Sequence, residues 1–554
     1  MNKSIKSWFV KIFTKDVDLE RNSFLYLFFS FLAIVLIVEY YILKFFLFMN
    51  YGMDKEMPLV LILLMLSLDF LLSGFLIDQI KNKTRFYNLN LLICVVGLFL
   101  SSIQYFVIRI IGFLVLLITI PQLIIIWSSI LVHETNILNR GRVTAILLIS
   151  CFLLSLIGFI FIFFRDLFIY LIFIEGILLI VIFWFSRAYK YIETEERLRS
   201  EGKFLKIIFE KHFSRYSVAF AFLSGLLGGL FYDSLEYFYR TYNSGYNIDI
   251  IIFSVVSFFY IIAAGWFFDN IGRKSTLVIG ILVVSFFYIS HGSFYDSSIA
   301  LIFGIPIRIH ITLHYAFAFL PLILAIMTIS GDFSTERGNL KYRGRINSLF
   351  LALMCLGIAL GYFFYRLIDV NEDLINNWVP NLPNLLNSFV IVMILVWIMA
   401  GKDILVSKES QWAKSLKHLF VLTISGVCLY NYDFIYKYHK IKDKKKRLDE
   451  DVISGALSGI IAILSEITQS KKHIEKIEKE GNYFYFSFGK SHIVALIATM
   501  NLPVLSKKLD AFSKDFEQRF FSEIQSFEGE IDKFDSAKYL INRYFSQKYA
   551  HFLK

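Results

Sequence analysis

The sequence predicts an all-α polytopic membrane protein with twelve transmembrane helices in two six-helix bundles, followed by a C-terminal cytoplasmic α/β domain with a five-stranded sheet. Three observations lead to this fold class. Of the 554 residues, 57% are hydrophobic and only 18% are charged, whereas an ordinary soluble domain is about 25% charged. Apolar segments of about 20 residues, the length that crosses a bilayer, follow one another over most of the chain. Short charged motifs of the first half also recur at corresponding positions in the second half.

Residues 1–18 predict an amphipathic helix that lies in the membrane interface. Lysines alternate there with apolar side chains at helical spacing, which are Ile5, Trp8, Phe9, Ile12 and Phe13. Because no small-residue cleavage site is present, the segment does not resemble a cleavable signal peptide. A frayed tail is the alternative interpretation.

The apolar segments form two groups of six, separated by a charged cytoplasmic linker at 187–215. The N-terminal bundle covers 19–186, with helices predicted at 22–48, 58–80, 87–105, 107–131, 143–164 and 167–186. The C-terminal bundle covers 216–404, with helices predicted at 216–240, 248–269, 275–290, 299–328, 346–367 and 385–403. Their length and apolar character are typical of spanning helices.

Basic residues concentrate in the loops on one side of these segments, for example Lys81, Lys83 and Arg85 after the second helix. The opposite loops are poor in Lys and Arg. By the positive-inside rule both termini are cytoplasmic, as expected for a multi-pass protein of the cell membrane. The same asymmetry accounts for much of the net charge of +11 without a nucleic-acid partner. The expected partners are therefore the lipid bilayer and a small-molecule solute.

Two related decapeptides occupy corresponding places in the two halves. GFLIDQIKNK (74–83) ends the second predicted helix, and GWFFDNIGRK (265–274) ends the eighth. The sequence Arg-Gly-Arg also repeats, at 140–142 after the fourth helix and at 343–345 after the tenth. Parallel repeats of six helices are typical of two-bundle secondary transporters.

On these motifs the chain resembles the major facilitator superfamily over about residues 20–405. The family signature is Gly-x-x-x-Asp-x-x-Gly-Arg-Lys, with a weaker copy in the second half. Here the second copy is the better match, through Gly265, Asp269, Gly272, Arg273 and Lys274. The resemblance implies two six-helix bundles that move against each other during transport, with the signature residues acting in gating.

The first copy of the signature matches only in part. Gly74 and Asp78 are present, whereas Lys81 and Asn82 stand where the signature has its second glycine and its arginine. Lys83 keeps the last basic position.

A second family pattern, Glu-x(5)-Arg-Gly after the fourth helix, is also present. Glu134 and Arg140 match it, and Asp332 and Arg343 echo it in the second half with a longer spacer. The resemblance therefore adds Glu134, Arg140 and Arg343 to the expected gating residues.

The physical chemistry of the decapeptides supports a contact between helices. Gly74 and Gly265 let a neighbouring helix approach closely. One turn further on, Asp78 and Asp269 can meet the positive N-terminal end of an adjacent helix, which is worth up to about 2 kcal/mol when partly buried. A contact that forms in one state and breaks in the other would bias alternating access. The alternative is that both carboxylates only cap helices and fix the topology.

Ionisable residues within the apolar segments are candidates for substrate binding or proton coupling, because a charge at mid-membrane costs about 2.5–3.5 kcal/mol. Asp69 lies near the centre of the second helix, and Arg308, His310 and His314 lie in the middle of the tenth. The two histidines share a helix face, so they could bind an anion, carry protons or begin a metal site. A third metal ligand is not evident, and no metal or cofactor is predicted. Further candidates are Arg109, Asp233 and Glu236.

Residues 405–554 differ in composition and predict a cytoplasmic domain with the order ββαβββαα. This order resembles longin and roadblock-type domains, which implies a protein partner such as a small GTPase or another longin-like domain. Gly489-Lys490-Ser491 lacks the upstream glycine of a phosphate-binding loop, so nucleotide hydrolysis is not expected. Neither this domain nor the helices contain a catalytic constellation, and the protein is not predicted to be an enzyme.

Together these patterns predict a secondary active transporter, a symporter or antiporter, that moves a small solute by alternating access. Proton coupling is expected through Asp69 or the histidines of the tenth helix, with the C-terminal domain in a regulatory role. The alternative is a membrane sensor or platform that recruits a GTPase or a partner domain through its C-terminal tail. A third option, suggested by the aromatic content, is an exporter of lipids or other hydrophobic compounds.

Overall fold

The computed structural model divides into two compact units, Met1–Leu405 and Val406–Tyr549, and each is described by itself. The structure describes residues 19–49, 56–103, 105–163, 168–189, 191, 204–230, 247–294, 301–302, 305–306, 322–335, 340–370, 382–401, 412–434, 455–457, 459–460, 476–527 and 529–545. The interfacial helix predicted at 1–18 lies outside these residues.

The first half of the first unit consists of six long helices. They are α1 (Arg21–Met49), α2 (Glu56–Gln79), α3 (Lys83–Ser102), α4 (Phe106–Glu134), α5 (Arg140–Phe163) and α6 (Phe168–Ala188). α3 begins four residues before the predicted start at 87, because the Asn82 side chain caps it by accepting the Arg85 N–H at 3.1 Å. Polar residues thus begin a helix whose apolar part alone was recognised in the sequence.

The second half repeats this arrangement after two short linker helices, Phe204–Ile208 and Lys211–Ser214. A π-helical segment, Arg215–Phe222, leads into α7 (Leu223–Leu230). The remaining helices are α8 (Asn247–Asn270), α9 (Arg273–Phe294), α10 (Leu322–Ser334), α11 (Arg343–Val370) and α12 (Leu382–Met399).

Five helices within the described part of the chain contain stretches long and apolar enough to cross a membrane. These stretches are Arg21–Val38, Leu59–Gln79, Lys83–Ser102, Phe106–Glu134 and Arg343–Leu367. Much of their surface is exposed and apolar, as with Leu68 and Leu72, which are each 60% exposed. Apolar surface of this extent is expected where lipid replaces water. The total of twelve spans stays a prediction.

The prediction of a tenth helix at 299–328 was wrong for the first residues of that range. Leu301–Ile302 (β1) and Ile305–Pro306 (β2) form a short antiparallel pair, and helix is described only from Leu322. The sequence between them contains Gly304, and Pro306 has no N–H for a helical hydrogen bond. The apolar composition of this segment therefore suggested a helix that its glycine and proline interrupt.

Helices of the two halves meet in two related pairs. α2 of the first half packs along α11 of the second, and α5 of the first half packs along α8 of the second. Within the first half, the Trp127 ring of α4 stacks on Phe31 at 4.3 Å between centroids and donates its N–H to the Leu27 carbonyl at 2.9 Å. Such buried aromatic contacts hold the bundle on which the interface between the halves is built.

The second unit contains the predicted five-stranded sheet. Its strands are β3 (Leu416–Thr423), β4 (Cys428–Asp433), β5 (Lys476–Lys479), β6 (Asn482–Phe488) and β7 (His492–Ala498). They are antiparallel in the order β4-β3-β7-β6-β5. The central strand β7 is buried along its whole length, which explains its nearly continuous apolar sequence.

Helices follow the strands of this unit, as predicted. α13 is Pro503–Gln525, and a 3₁₀ segment at Ile531–Ala537 leads into α14 (Lys538–Tyr544). Phe512 and Phe516 of α13 are fully buried. Of the helix predicted between β4 and β5, the described residues are 455–457 and 459–460, which are helical.

Candidate functional site

The Asp269 carboxylate, at the end of α8, caps the beginning of α5 in the other half. Its Oδ1 accepts the Gly141 backbone N–H at 2.9 Å, and its Oδ2 accepts the Arg142 backbone N–H at 2.9 Å. The Arg142 Nε also donates to Oδ2 at 3.0 Å. The first N–H groups of a helix have no acceptor within the helix and lie at its positive end, so a carboxylate suits them well. Asp269 is only 2% exposed, which strengthens the interaction.

The Asp78 carboxylate repeats this geometry in the opposite direction. It lies at the end of α2 and caps α11, accepting the Gly344 N–H at 2.6 Å and the Arg345 N–H at 3.2 Å. The Arg345 Nε lies 3.4 Å from its Oδ2. Each half therefore presents one carboxylate to a helix N-terminus of the other half. We call the end of the helices that carries Asp78 and Asp269 the motif face.

Glycines make both caps possible. A Cβ on Gly344 would lie 2.7 Å from Asp78 Oδ1, and a Cβ on Gly141 would lie 2.7 Å from Asp269 Oδ1. One turn before Asp269, a Cβ on Gly265 would lie 2.5 Å from the Ala145 Cβ. These distances are shorter than van der Waals contact, so any other residue would force the helices apart.

A chain of buried ion pairs extends the Asp269 cap. Arg273 donates through Nη1 to Asp269 Oδ1 at 3.0 Å and through Nε to Asp332 Oδ2 at 2.6 Å. Arg140 of the first half donates to the other Asp332 oxygen. The side chains of these four residues have no exposed surface. Arg273 also donates to the Ile137 carbonyl of the first half at 2.7 Å, so the network adds two contacts between the halves to the Asp269 cap itself.

Arg140 and Asp332 have counterparts in the other copy, Arg343 and Glu134, and these two residues bind tyrosines instead of each other. Glu134 accepts the Tyr189 hydroxyl at 2.8 Å, and Arg343 donates to the Tyr191 hydroxyl at 2.9 Å. Arg343 is 3% exposed, and its Nε lacks a hydrogen-bond partner among the described residues. Arg273 links two carboxylates in the second copy, whereas Asn82 holds the same signature position in the first copy. The ion pairs of the motif face are therefore not the same in the two halves.

The two copies of the signature also differ, in residue type or in contacts, at their last three positions, which are Gly272, Arg273 and Lys274 in the second copy. The backbone conformation at Gly272 explains part of this difference. Gly272 has φ of 117°, a conformation that favours glycine, and Arg273 follows it into the buried network. Lys274 donates to the carbonyls of Met399 and Gly401 at 2.7 and 3.0 Å, at the end of α12.

In the first copy, Lys81 takes the place of this glycine and has no positive φ. Lys83 donates to the Ile77 carbonyl at 2.9 Å and thus binds the end of its own α2. The lysines at the last signature position therefore bind different helices in the two copies.

Only some coupling candidates fall within the described residues. Asp69 in α2 is partly buried, and its buried Oδ2 has no hydrogen-bond partner within the described part of the chain. Arg109, near the start of α4, donates to the Ile103 carbonyl at 3.2 Å and so caps the end of α3. Outside the described residues lie Asp233, Glu236, Arg308, His310 and His314.

A buried acid that was not among the predicted candidates lies in α6. The Glu175 side chain has no exposed surface, and neither carboxyl oxygen has a hydrogen-bond partner among the described residues. It lies within electrostatic range of Tyr87 and Cys94 of α3. The sequence signal was a lone acid in the apolar stretch FIYLIFIEGILLI.

Comparisons with known proteins give the class of fold. No protein-family model and no curated protein matches the sequence. Among solved structures, the human organic anion transporter MFSD10 is similar with a TM-score of 0.50 and 13% identity, over 68% of this chain and 97% of that one. FucP, a major facilitator superfamily transporter in its outward conformation, is similar with a TM-score of 0.51 and 11% identity, over 69% of this chain and 98% of that one.

The chain is therefore a multi-pass membrane protein. More particularly, its helical part has the fold of major facilitator superfamily transporters, as the repeated motifs predicted. To this fold the protein adds a C-terminal unit with a five-stranded antiparallel sheet.

Proposed function

We propose that this protein is a secondary active transporter that moves a small solute by alternating access between its two halves. The main support is the reciprocal capping at the motif face, where Asp78 of the first half caps α11 and Asp269 of the second half caps α5. If this face opens, both caps and the Arg140–Asp332 pair are lost together. Contacts that are either all formed or all broken favour two discrete states over a continuous motion.

The motif face is proposed to be cytoplasmic. Basic residues gather at this end of the helices, and the opposite loops carry few, which matches the distribution that sets membrane orientation. The structure then represents the state in which the cytoplasmic side is closed, because the caps between the halves are intact.

Proton coupling is proposed through two acids within the spanning helices, Asp69 and Glu175. Ionised carboxylates without partners are costly in an apolar environment. Neither Glu175 carboxyl oxygen has a hydrogen-bond partner among the described residues, so we expect Glu175 to hold a proton in this state. Asp69 has one oxygen without a hydrogen-bond partner among the described residues, and it lies in α2, the helix that carries the Asp78 cap. Protonation of Asp69 is therefore proposed to be linked to movement of that helix.

The first experiment identifies a solute. Purified full-length protein is screened by thermal shift against organic anions, sugars, amino acids and lipophilic cations, because a ligand of the native state raises the apparent stability. Organic anions are included because one similar structure is an organic anion transporter. A solute that stabilises the protein is then tested for uptake into proteoliposomes with and without a proton gradient. Binding without uptake by any preparation would contradict the transport function.

The second experiment tests the coupling residues in the same proteoliposomes. Asp69→Asn is expected to abolish uptake that depends on the proton gradient, whereas Asp69→Glu should retain part of it. Glu175→Gln should shift or flatten the pH dependence. Unchanged pH dependence in both amide variants would contradict their role in coupling, without contradicting transport itself.

A second function, recruitment of a protein partner by the C-terminal unit, is favoured by one observation. The turn between β3 and β4 exposes two large apolar side chains, Ile424 at 62% and Val427 at 47%. Exposed apolar residues on a turn are available for a partner. Deletion of 406–554 separates the functions, because surviving uptake assigns a regulatory role to this unit. Loss of a co-purifying partner from a variant with Ile424→Ser and Val427→Ser would support recruitment.

A further inference from the structure

A groove at the motif face lies between the start of α3 and the end of α6. Its volume is about 430 Å³. Its lining residues are Asn82, Thr84, Arg85, Asn88, Leu89, Leu92, Phe183, Ser186 and Arg187. Polar and basic groups thus lie at the helix ends, and apolar side chains continue from them along the helices.

The two arginines of this groove are available for an anion. Arg85 and Arg187 are both exposed, and neither guanidinium has a partner among the described residues. Among the residues that the structure describes, the lining contains no acidic side chain. Guanidinium groups without carboxylate partners are well suited to a phosphate group.

The apolar part of the groove faces outward from the bundle. Leu89, Leu92 and Phe183 are 52%, 47% and 46% exposed, and the adjacent Trp184 is 71% exposed. In a spanning helix such side chains contact lipid tails, and an exposed tryptophan close to an arginine marks the level of the headgroups. An occupant therefore reaches the groove from the bilayer, with its chain along these residues.

At the corresponding place in the second half, the signature lysine joins two helix ends. There Lys274, at the start of α9, donates to the carbonyls of Met399 and Gly401 at the end of α12. In the first half, Lys83 holds the same signature position but donates to Ile77 on α2. The groove of the first half lies beside the end of α6, where Ser186 and Arg187 line it.

We propose that this groove binds one anionic glycerophospholipid, whose phosphate lies between Arg85 and Arg187 and whose acyl chain lies along Leu89, Leu92 and Phe183. Basic pockets between helices at this level of a membrane are suited to anionic headgroups. The site is separate from the caps between the halves, and it does not depend on the transported solute.

Native mass spectrometry of the full-length protein tests the proposal. Phosphatidylglycerol is titrated onto delipidated protein, with phosphatidylcholine, a zwitterion without net charge, as the comparison. The wild type is expected to bind one phosphatidylglycerol molecule more tightly than any further phosphatidylglycerol molecules. Arg85→Ala and Arg187→Ala should each weaken that binding about fivefold. Arg187→Lys should retain most of it, and Arg21→Ala is the matched control, because Arg21 is an exposed arginine of the same face outside the groove.

Two further arms identify the source of the phosphate. Inorganic phosphate alone should not compete with phosphatidylglycerol at equal concentration, since it lacks the acyl chain. The double variant with Leu89→Gln and Leu92→Gln should bind phosphatidylglycerol more weakly. Its elution volume in size-exclusion chromatography should equal that of the wild type. Equal binding by the wild type and the two alanine variants would overturn the proposal. Equal competition by inorganic phosphate would overturn the lipid as its ligand.

Discussion

The Asp269→Asn substitution tests the closed motif face at its most buried contact. Asparagine keeps the shape of the side chain but removes the charge that faces Arg142 and Arg273. One amide oxygen can still accept a backbone N–H, whereas the amide nitrogen is a donor and meets the other N–H donor at the start of α5. The change therefore weakens the cap and leaves two buried guanidiniums with less counter-charge.

The magnitude follows from the partners that remain. Removing one partner of a buried ion pair costs about 3–5 kcal/mol, and the lower value applies because Arg273 keeps Asp332. A cost of about 3 kcal/mol changes the ratio of closed to open molecules by about 100-fold. Asp78→Asn should change it only about tenfold, because its ion pair with Arg345 is longer, at 3.4 Å, and partly exposed.

The assay measures access to a thiol introduced by Ser128→Cys. Ser128 is 4% exposed in α4 and accepts a hydrogen bond from Asn347 of α11 at 3.1 Å, so it lies between the halves. The rate of alkylation by a bulky maleimide is measured in purified protein. The native cysteines are buried, and their background labelling is measured in protein that lacks the Ser128→Cys substitution. Asp269→Asn should speed labelling strongly and Asp78→Asn less. Asn270→Ala is the control, because this side chain donates to the Trp266 carbonyl on its own helix. Equal labelling rates for Asp269→Asn and for the Ser128→Cys parent would show that the Asp269 carboxylate does not hold the motif face closed.

Substitutions at Gly265 and at His492 give two independent checks. Gly265→Ala places a Cβ 2.5 Å from Ala145 Cβ, which should cost about 1–3 kcal/mol in the closed state and raise the labelling of position 128. Gly176→Ala, where a Cβ meets nothing within 4 Å, should leave it unchanged, and equal rates for the two variants would contradict the close crossing of α5 and α8. In the C-terminal unit, burial lowers the pKa of the His492 imidazole below its usual range, so the neutral ring is the folded form. Its stabilising contribution is fully present above about pH 6.5 and declines as the pH falls below that value. Hydrogen exchange in β7, corrected for intrinsic rates, should therefore accelerate at acidic pH, and His492→Gln should reduce that acceleration; an identical pH response in this variant would contradict the assignment.

The sequence predicted the helices of the first half well because each is a long apolar stretch bounded by polar residues. It also predicted that Asp78 and Asp269 could meet helix N-termini, since a repeated motif points to a repeated contact. It could not show which helix each carboxylate caps, because the partners are more than 100 residues away along the chain. The beginning of the tenth segment failed because hydropathy alone does not distinguish an apolar helix from a short apolar strand pair.

Two features of the site needed the three-dimensional structure. Asp332 was recognised only as an echo of Glu134, yet it joins Arg140 of the first half to Arg273 of the second. Its longer spacer concealed this role. Glu175 was a visible lone acid in an apolar segment, but only the structure shows that it is buried and that no described residue forms a hydrogen bond with its carboxyl group. Charge in an apolar stretch is therefore a signal worth following even when no motif surrounds it.

The central claim is that the two halves alternate, so that one face opens as the other closes. Pulsed electron paramagnetic resonance measures this directly, with one spin-label pair at positions 21 and 399 on the motif face and another at positions 105 and 367 on the opposite face. These positions are exposed at the ends of helices from different halves. We expect two distance populations for each pair. Asp269→Asn should shift the motif-face pair toward its longer distance and the opposite pair toward its shorter distance. A single distance at each face, unchanged by this substitution, would show that the two halves do not alternate.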